Sequence, residues 1–109
     1  MKERKYGRIV SIAARSGLKG DPMVAPYGVS KGGVILLTQT VAEETKAFGV
    51  TANAVLPSVV DTSANRESMP DADFDAWVDP NDLAEVMIFL ASQRARAVTG
   101  AAIPVYNRA

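Results

Sequence analysis

The chain contains no histidine and no cysteine. Without histidine there is no imidazole base for a Ser-His-Asp relay and no imidazole metal ligand. Without cysteine there are no disulfides, zinc knuckles or thiol nucleophiles. An excess of charge is missing too: twelve Lys and Arg balance twelve Asp and Glu. Neither half carries a strong basic run, which argues against a nucleic-acid surface. The short basic start, residues 2–8, reads as a solvated helix end. No apolar run approaches the length that spans a bilayer, and residues 1–6 are charged where a signal peptide would be apolar. A soluble cytoplasmic protein is therefore the default expectation. What the chain does have is 48% apolar residues over 109 positions, enough for one small packed domain.

Residues 7–14 are rich in β-branched residues and nearly all apolar beyond Arg8, as suits a strand covered on both faces. Residues 15–24 hold Gly17, Gly20, Asp21 and Pro22 and read as a loop. From Pro26 to Phe48 the pattern is helical, with a stripe through Val34, Leu37 and Val41 that Ile35 and Leu36 widen. Pro26 suits the first turn and Gly49 the position just past the end. Gly32 and Gly33 weaken this helix, so another element or a ligand is expected to approach closely there. Residues 50–56 form a second short strand stopped by Pro57. Residues 58–78 make a long polar loop of a kind that is often functional. Asp79 caps a further helix, with Pro80 first and Leu83, Val86, Met87 and Leu90 as its buried stripe. Thr99 and Gly100 lead into a third strand over residues 101–105. The order strand, helix, strand, helix, strand indicates a parallel α/β layer with right-handed crossovers.

Tyr27 and Lys31 stand four residues apart, which on a helix puts both side chains on one face. A fixed ammonium favours the phenolate, so a phenol that ordinarily titrates near ~10 becomes a better acid beside it. Such a pair can move protons at neutral pH. Elsewhere the residues read more plainly. Asp71, Asp73 and Asp75 imitate calcium-loop spacing, but Ala76 replaces the required glycine and Asp82 the closing glutamate, so a solvated acidic loop is expected. Phe74 and Trp77 either cover a planar substrate or pack on the following helix. Arg66 either attracts cofactor phosphate or forms a surface ion pair.

In identity, order and spacing, residues 7–10 (Gly-Arg-Ile-Val), Tyr27-x-x-x-Lys31, Asn53-x-x-x-Pro57, Thr62 and Thr99-Gly100 resemble the short-chain dehydrogenase/reductase family. Residues 55–57, Asp61-Thr62, Asn65-Arg66, Ser68-Met69-Pro70 and residues 72–77 are similar to its quinonoid dihydropteridine reductase branch. The resemblance covers nearly the whole chain but only the C-terminal half of that fold: a Rossmann-type doubly wound parallel sheet, here three strands and two main helices in one partial domain, residues 1–109. It implies NAD or NADP as cofactor and a small-molecule substrate, a planar heterocycle or a carbonyl compound. Tyr27 would donate a proton as the nicotinamide delivers hydride. Lys31 would lower its proton affinity and bind the nicotinamide ribose. Pro57, Ser58, Val60 and Thr62 would line the cofactor site, and Asn53 would bond backbone at the strand edge. Thr62 also has the alternative of a helix cap.

Two departures qualify this. The family's serine thirteen residues before the tyrosine is here Ala14, which has no donor; Ser16 lies two residues further on and Ser11 earlier. In other oxyanion sites the loss of one donor costs about 2.7–4 kcal/mol, so Ala14 weakens a ketone-reductase reading and favours the pterin branch. There is also no Gly-rich phosphate turn after a first strand, because Gly28, Gly32 and Gly33 fall inside the helix. The family's earlier strands are thus expected to precede Met1, the chain being a fragment or truncated product without reductase turnover of its own. Its free sheet edge and helix suggest a homo-oligomer or other self-association. The alternative functions are a non-catalytic interaction module derived from the same fold and a reductase of some other small carbonyl compound that uses Ser16.

Overall fold

A computed structural model describes residues 1–109. The elements run β1 (Gly7–Ile12), α1 (Ala25–Thr45), β2 (Val50–Pro57), α2 (Ser63–Ser68), α3 (Pro80–Ala91) and β3 (Ala102–Val105), with short 3₁₀ turns between them. The strands form one parallel sheet in the order β1-β2-β3, with Gly7 opposite Val50 and Ala54 opposite Ala102. The expected α/β layer is present, half of a Rossmann-type arrangement. Its strand ends differ by a residue or two from the sequence reading: β1 stops at Ile12, and β2 includes Pro57. Residues 2–5 form a turn, not a helix end.

β2 is the spine, buried from Val50 to Leu56. Side chains alternate across a strand, so Ala54 and Leu56 pack with Ile35 of α1 and Ala13 on one face. Val55 packs with Leu83 and Leu90 of α3 and with Val78 on the other. The strands are laid down in a single direction while α1 and α3 cover opposite faces, so the two crossovers have opposite hands. One of them is left-handed, which corrects the expectation that both are right-handed. The usual preference, about 98%, arises when a twisted strand feeds a helix directly. Here the 58–78 excursion separates β2 from α3 and relaxes that coupling.

The excursion is not structureless. It contains α2 and a 3₁₀ turn, Phe74–Ala76, and it returns beside its own start. Val60 and Val78 form a parallel bridge, Val78 N–H donating to Val59 O and Asp61 N–H to Val78 O, each at 2.9 Å. Beyond it α3 starts as expected, with Asp79 Oδ1 accepting from Asn81 N–H at 2.7 Å. Val86 and Met87 pack beside the buried Leu83 and Leu90.

α1 turns inward only part of the expected stripe, Ile35 with Val34 packed beside the same cluster. Ile35, Thr38, Ala42 and Thr45 are buried, while Leu36 and Leu37 are 65% and 63% exposed. Thr38 and Thr45 can be buried because each hydroxyl donates to the carbonyl four residues back, Val34 O and Val41 O, at 2.7 Å. The result is a helix apolar on two sides, only one of which this chain covers. The accessible surface, 6886 Å², exceeds the roughly 5,800 Å² of a compact monomer of this mass. The radius of gyration is 15.3 Å, against about 13 Å for a compact domain of this length.

Asn53 is fully buried and ties the α3–β3 connection to the sheet. Its Nδ2 donates to Val98 O at 2.8 Å, and its Oδ1 accepts from Ala101 N–H at 3.0 Å. This is the structural role expected for it. Asn53→Ala strands a buried donor and acceptor and should cost about 2–4 kcal/mol, read as a lowered urea midpoint with an unchanged slope.

Candidate active site

The site is built where the turn after β1 lies on α1. Ala13 prolongs β1 by donating its N–H to Val55 O at 2.9 Å, and the 3₁₀ turn Arg15–Gly17 follows. A Cβ on Gly17 would come within 2.8 Å of Gly32 N and of Lys31 C. One on Gly28 would stand 3.0 Å from Ser16 O, and one on Gly32 would stand 3.2 Å from Gly17 O. The turn therefore touches the helix backbone to backbone, which only glycine allows. The approach expected at Gly32 is present; Gly33 faces open space.

On this helix Tyr27 and Lys31 share a face, with the Lys31 ammonium 5.7 Å from the centre of the Tyr27 ring. Lys31 Nζ also donates to Ile12 O at 3.3 Å, which anchors it to the end of β1. Tyr27 is half-exposed. It opens on a cleft of about 150 Å³ whose walls include Ala14, Ser16, Asp21, Pro57 and Ser58. The cleft thus brings Tyr27 together with Pro57 and Ser58, both predicted, and with Ala14, which offers no donor there. Ser58 is already engaged: its N–H donates to Val105 O at 3.2 Å and its hydroxyl to Tyr106 O at 2.8 Å.

Val60 and Thr62 lie further along the excursion and do not line this cleft. Thr62 Oγ1 accepts from Asn65 N–H at 3.2 Å, so it caps α2, the alternative weighed for it. Asn65 Nδ2 donates to Val60 O at 2.8 Å. The Val60 N–H has no acceptor within the chain. Asn65 and Asp21 were not among the predicted site residues, and Ser16 was expected only in the alternative carbonyl-reductase reading. Asn65 bonds Val60 only five residues back, and Asp21 stands on the turn after β1, where only the fold brings it to the cleft.

Arg66 pairs with Asp61 through two bonds of 2.6 and 2.7 Å and lies over the Phe74 ring at 4.6 Å. It is therefore an ion pair within the excursion, not a free phosphate ligand. Phe74 in turn packs on Trp77 with ring centres 4.8 Å apart. Trp77 is buried, and its carbonyl accepts from Asn107 Nδ2 at 2.7 Å. These aromatic rings are packing elements, and the structure does not place them over the cleft. Asp73 Oδ1 accepts from Asp75 N–H at 3.2 Å, capping its own turn.

With this geometry established, a family model described as enoyl-(acyl carrier protein) reductase matches residues 1–106. The chain belongs to the short-chain dehydrogenase/reductase family. It is 34% identical over 109 residues to the acetoacetyl-CoA reductase of Paracoccus denitrificans, covering 92% of this chain and 45% of that protein. Among solved structures it is similar to an actinorhodin polyketide ketoreductase with NADPH, at TM-score 0.84 and 33% identity, covering 96% of this chain and 48% of the other. It also resembles an NAD+-bound xylitol dehydrogenase, at TM-score 0.85 and 26% identity, covering 98% of this chain and 50% of the other. The chain thus spans about half the length of the relatives it matches. No helix is long and apolar enough to cross a membrane.

The Asp61–Arg66 pair carries a pH dependence. Hydrogen bonds from Arg66, then its positive charge, hold the Asp61 carboxyl below its ordinary 3.8, outweighing the upward pull of desolvation. The stabilisation is complete above the unfolded value near ~3.9 and is lost as pH falls through the lower folded value. Denaturant titrations from neutral to acid pH should show parent and Asp61→Asn converging only below about pH 4. A gap that stays constant with pH would contradict this role.

Proposed function

We propose that this chain carries the catalytic half of an NAD(P)-dependent short-chain oxidoreductase. The observation that supports it is the Lys31 ammonium beside the Tyr27 ring at the mouth of a cleft. A bound reduced nicotinamide would supply hydride to the substrate carbon. Tyr27 gives its phenol proton to the carbonyl oxygen as the C=O π bond breaks, leaving an alcohol. The neighbouring cation favours the negative charge left on the phenol oxygen.

The residues fit the nicotinamide half of such a cofactor. Val60 presents an N–H with no acceptor, Thr62 retains a hydroxyl proton, Lys31 can reach a ribose, and Pro57 and Ser58 form a wall. They offer no seat for the pyrophosphate, because Gly28 and Gly32 are filled by the turn that lies on them. A nucleotide-binding half is therefore required. The relatives' names favour a carbonyl substrate. A quinonoid dihydropteridine or similar planar heterocycle is the second reading, favoured by Ala14, since protonating a ring nitrogen needs no second donor at that position.

Self-association with a second copy belongs to the same reading. The surplus surface, about 1,000 Å², is close to the roughly 800 Å² per partner of an ordinary interface. The exposed Val29, Leu36 and Leu37 supply apolar contact, and zero net charge opposes no second copy.

Joined to the part of the Paracoccus reductase it does not cover, the chain should bind NADH saturably by cofactor fluorescence and reduce acetoacetyl-CoA. The 109-residue chain alone should show no appreciable turnover. Tyr27→Phe should lower kcat by about 10²-fold or more, and Lys31→Ala should abolish saturable binding. A joined protein that folds yet never binds NADH would favour the interaction module. Light scattering should give a dimer or larger assembly for the chain, shifted to monomer by Leu36→Glu with Leu37→Glu.

A further inference from the structure

Ser16 has no duty within the fold. Its side chain makes no hydrogen bond in the chain, although the residue is only half-exposed. It lines the cleft that holds Tyr27 and Ala14 and also a neighbouring cavity of about 420 Å³ against Gly28 and Gly32. Its backbone is fixed: Ser16 O is the atom that a Cβ on Gly28 would meet at 3.0 Å, and Gly17 is pressed on Gly32. The hydroxyl is therefore carried on a rigid turn, in the same cleft as the phenol, one residue beyond Arg15. Arg15 itself is occupied, donating to Ala109 O at 2.8 Å and lying over the Tyr106 ring. The backbone N–H of Ser58 and its hydroxyl are both spent on β3 and Tyr106. Among the residues lining this cleft, Ser16 and Tyr27 are the two with a hydroxyl proton not already given to a protein acceptor.

We infer that Ser16 supplies the second hydrogen bond to the substrate oxygen that Tyr27 protonates, so that the turn, and not the end of the strand, completes the oxygen-binding pair. This rests on the reductase reading above and deepens it by favouring a carbonyl substrate. A hydroxyl on the turn is set back from position 14, which lies deeper at the strand end and is buried. A carbonyl held by Ser16 and Tyr27 therefore sits towards the 420 Å³ cavity, whose walls include Leu18, Val24 and Val29. That favours a ketone with an extended apolar or thioester-linked chain over a compact ring. The donor acts on charge that grows as hydride arrives, so its effect falls on kcat more than on KM.

Acetoacetyl-CoA serves as the probe, with the chain itself and the chain joined to the nucleotide-binding part of its Paracoccus relative. In the joined protein, Ser16→Ala should lower kcat/KM by about 10²-fold, chiefly through kcat. Ser16→Thr should keep most activity, and Ala14→Ser added to Ser16→Ala should restore at least tenfold. Because Ser16 bonds nothing in the fold, the unfolding midpoint of Ser16→Ala should match the parent. With the chain alone, the ketone carbon of ¹³C-labelled acetoacetyl-CoA should move downfield on binding, and Ser16→Ala should diminish that movement. A Ser16→Ala protein within twofold of the parent, while Tyr27→Phe is inactive, would overturn the Ser16 assignment and leave the reductase reading standing. Failure of the joined, folded parent to bind and reduce the probe would overturn both.

Discussion

The site depends on one close contact: the backbone of residues 15–17 lying on the first turns of α1. Three glycines line it: a Cβ on Gly17 would clash with backbone, and one on Gly28 or Gly32 would press tightly against it. The contact fixes the end of β1 against the helix that carries Tyr27 and Lys31. Lys31 reinforces it by reaching back to the Ile12 carbonyl. The ammonium is thus held by the scaffold near the phenol, and its position does not depend on side-chain preference alone. Residues on rigid elements, supported from behind, keep a geometry that chemistry can use.

The second support is the return of the 58–78 excursion to its origin. Val59 and Asp61 are bonded across to Val78, while Asn65 holds the Val60 carbonyl. The Asp61–Arg66–Phe74–Trp77 stack braces the outer part of the same loop. This loop shapes one wall of the cleft, and the turn after β1 shapes the other. The unpartnered Val60 N–H is notable because the amides around it are used. A free donor on a braced backbone keeps a fixed direction, whereas one on a slack loop would simply face water.

Local chemistry made much of this legible in the sequence. β-branched runs gave the strands, Asp79-Pro80 gave the start of α3, and four-residue spacing put Tyr27 and Lys31 on one face. Asn53 could be assigned to backbone bonding because a buried amide needs partners. The buried face of α1 was misjudged because hydrophobicity ranks leucine above threonine. Thr38 and Thr45 go inside with hydroxyls satisfied by their own helix, while Leu36 and Leu37 are left outside. The Val60–Val78 bridge was hidden because it depends on a loop closing over eighteen residues, whereas α2 is signalled only by its local Thr62 cap. Ser16 was legible as a hydroxyl near the site, but its lack of any other partner needed coordinates.

The contrary winding of the two connections decides which faces of the sheet this chain covers by itself. Had both followed the common hand, α1 and α3 would share one side and the three strands would show a bare underside to water. Instead each side of the sheet carries its own cover. The faces of β2 are thus already taken, and the surfaces left for a neighbour are the open strand margins and the outer flanks of α1 and α3.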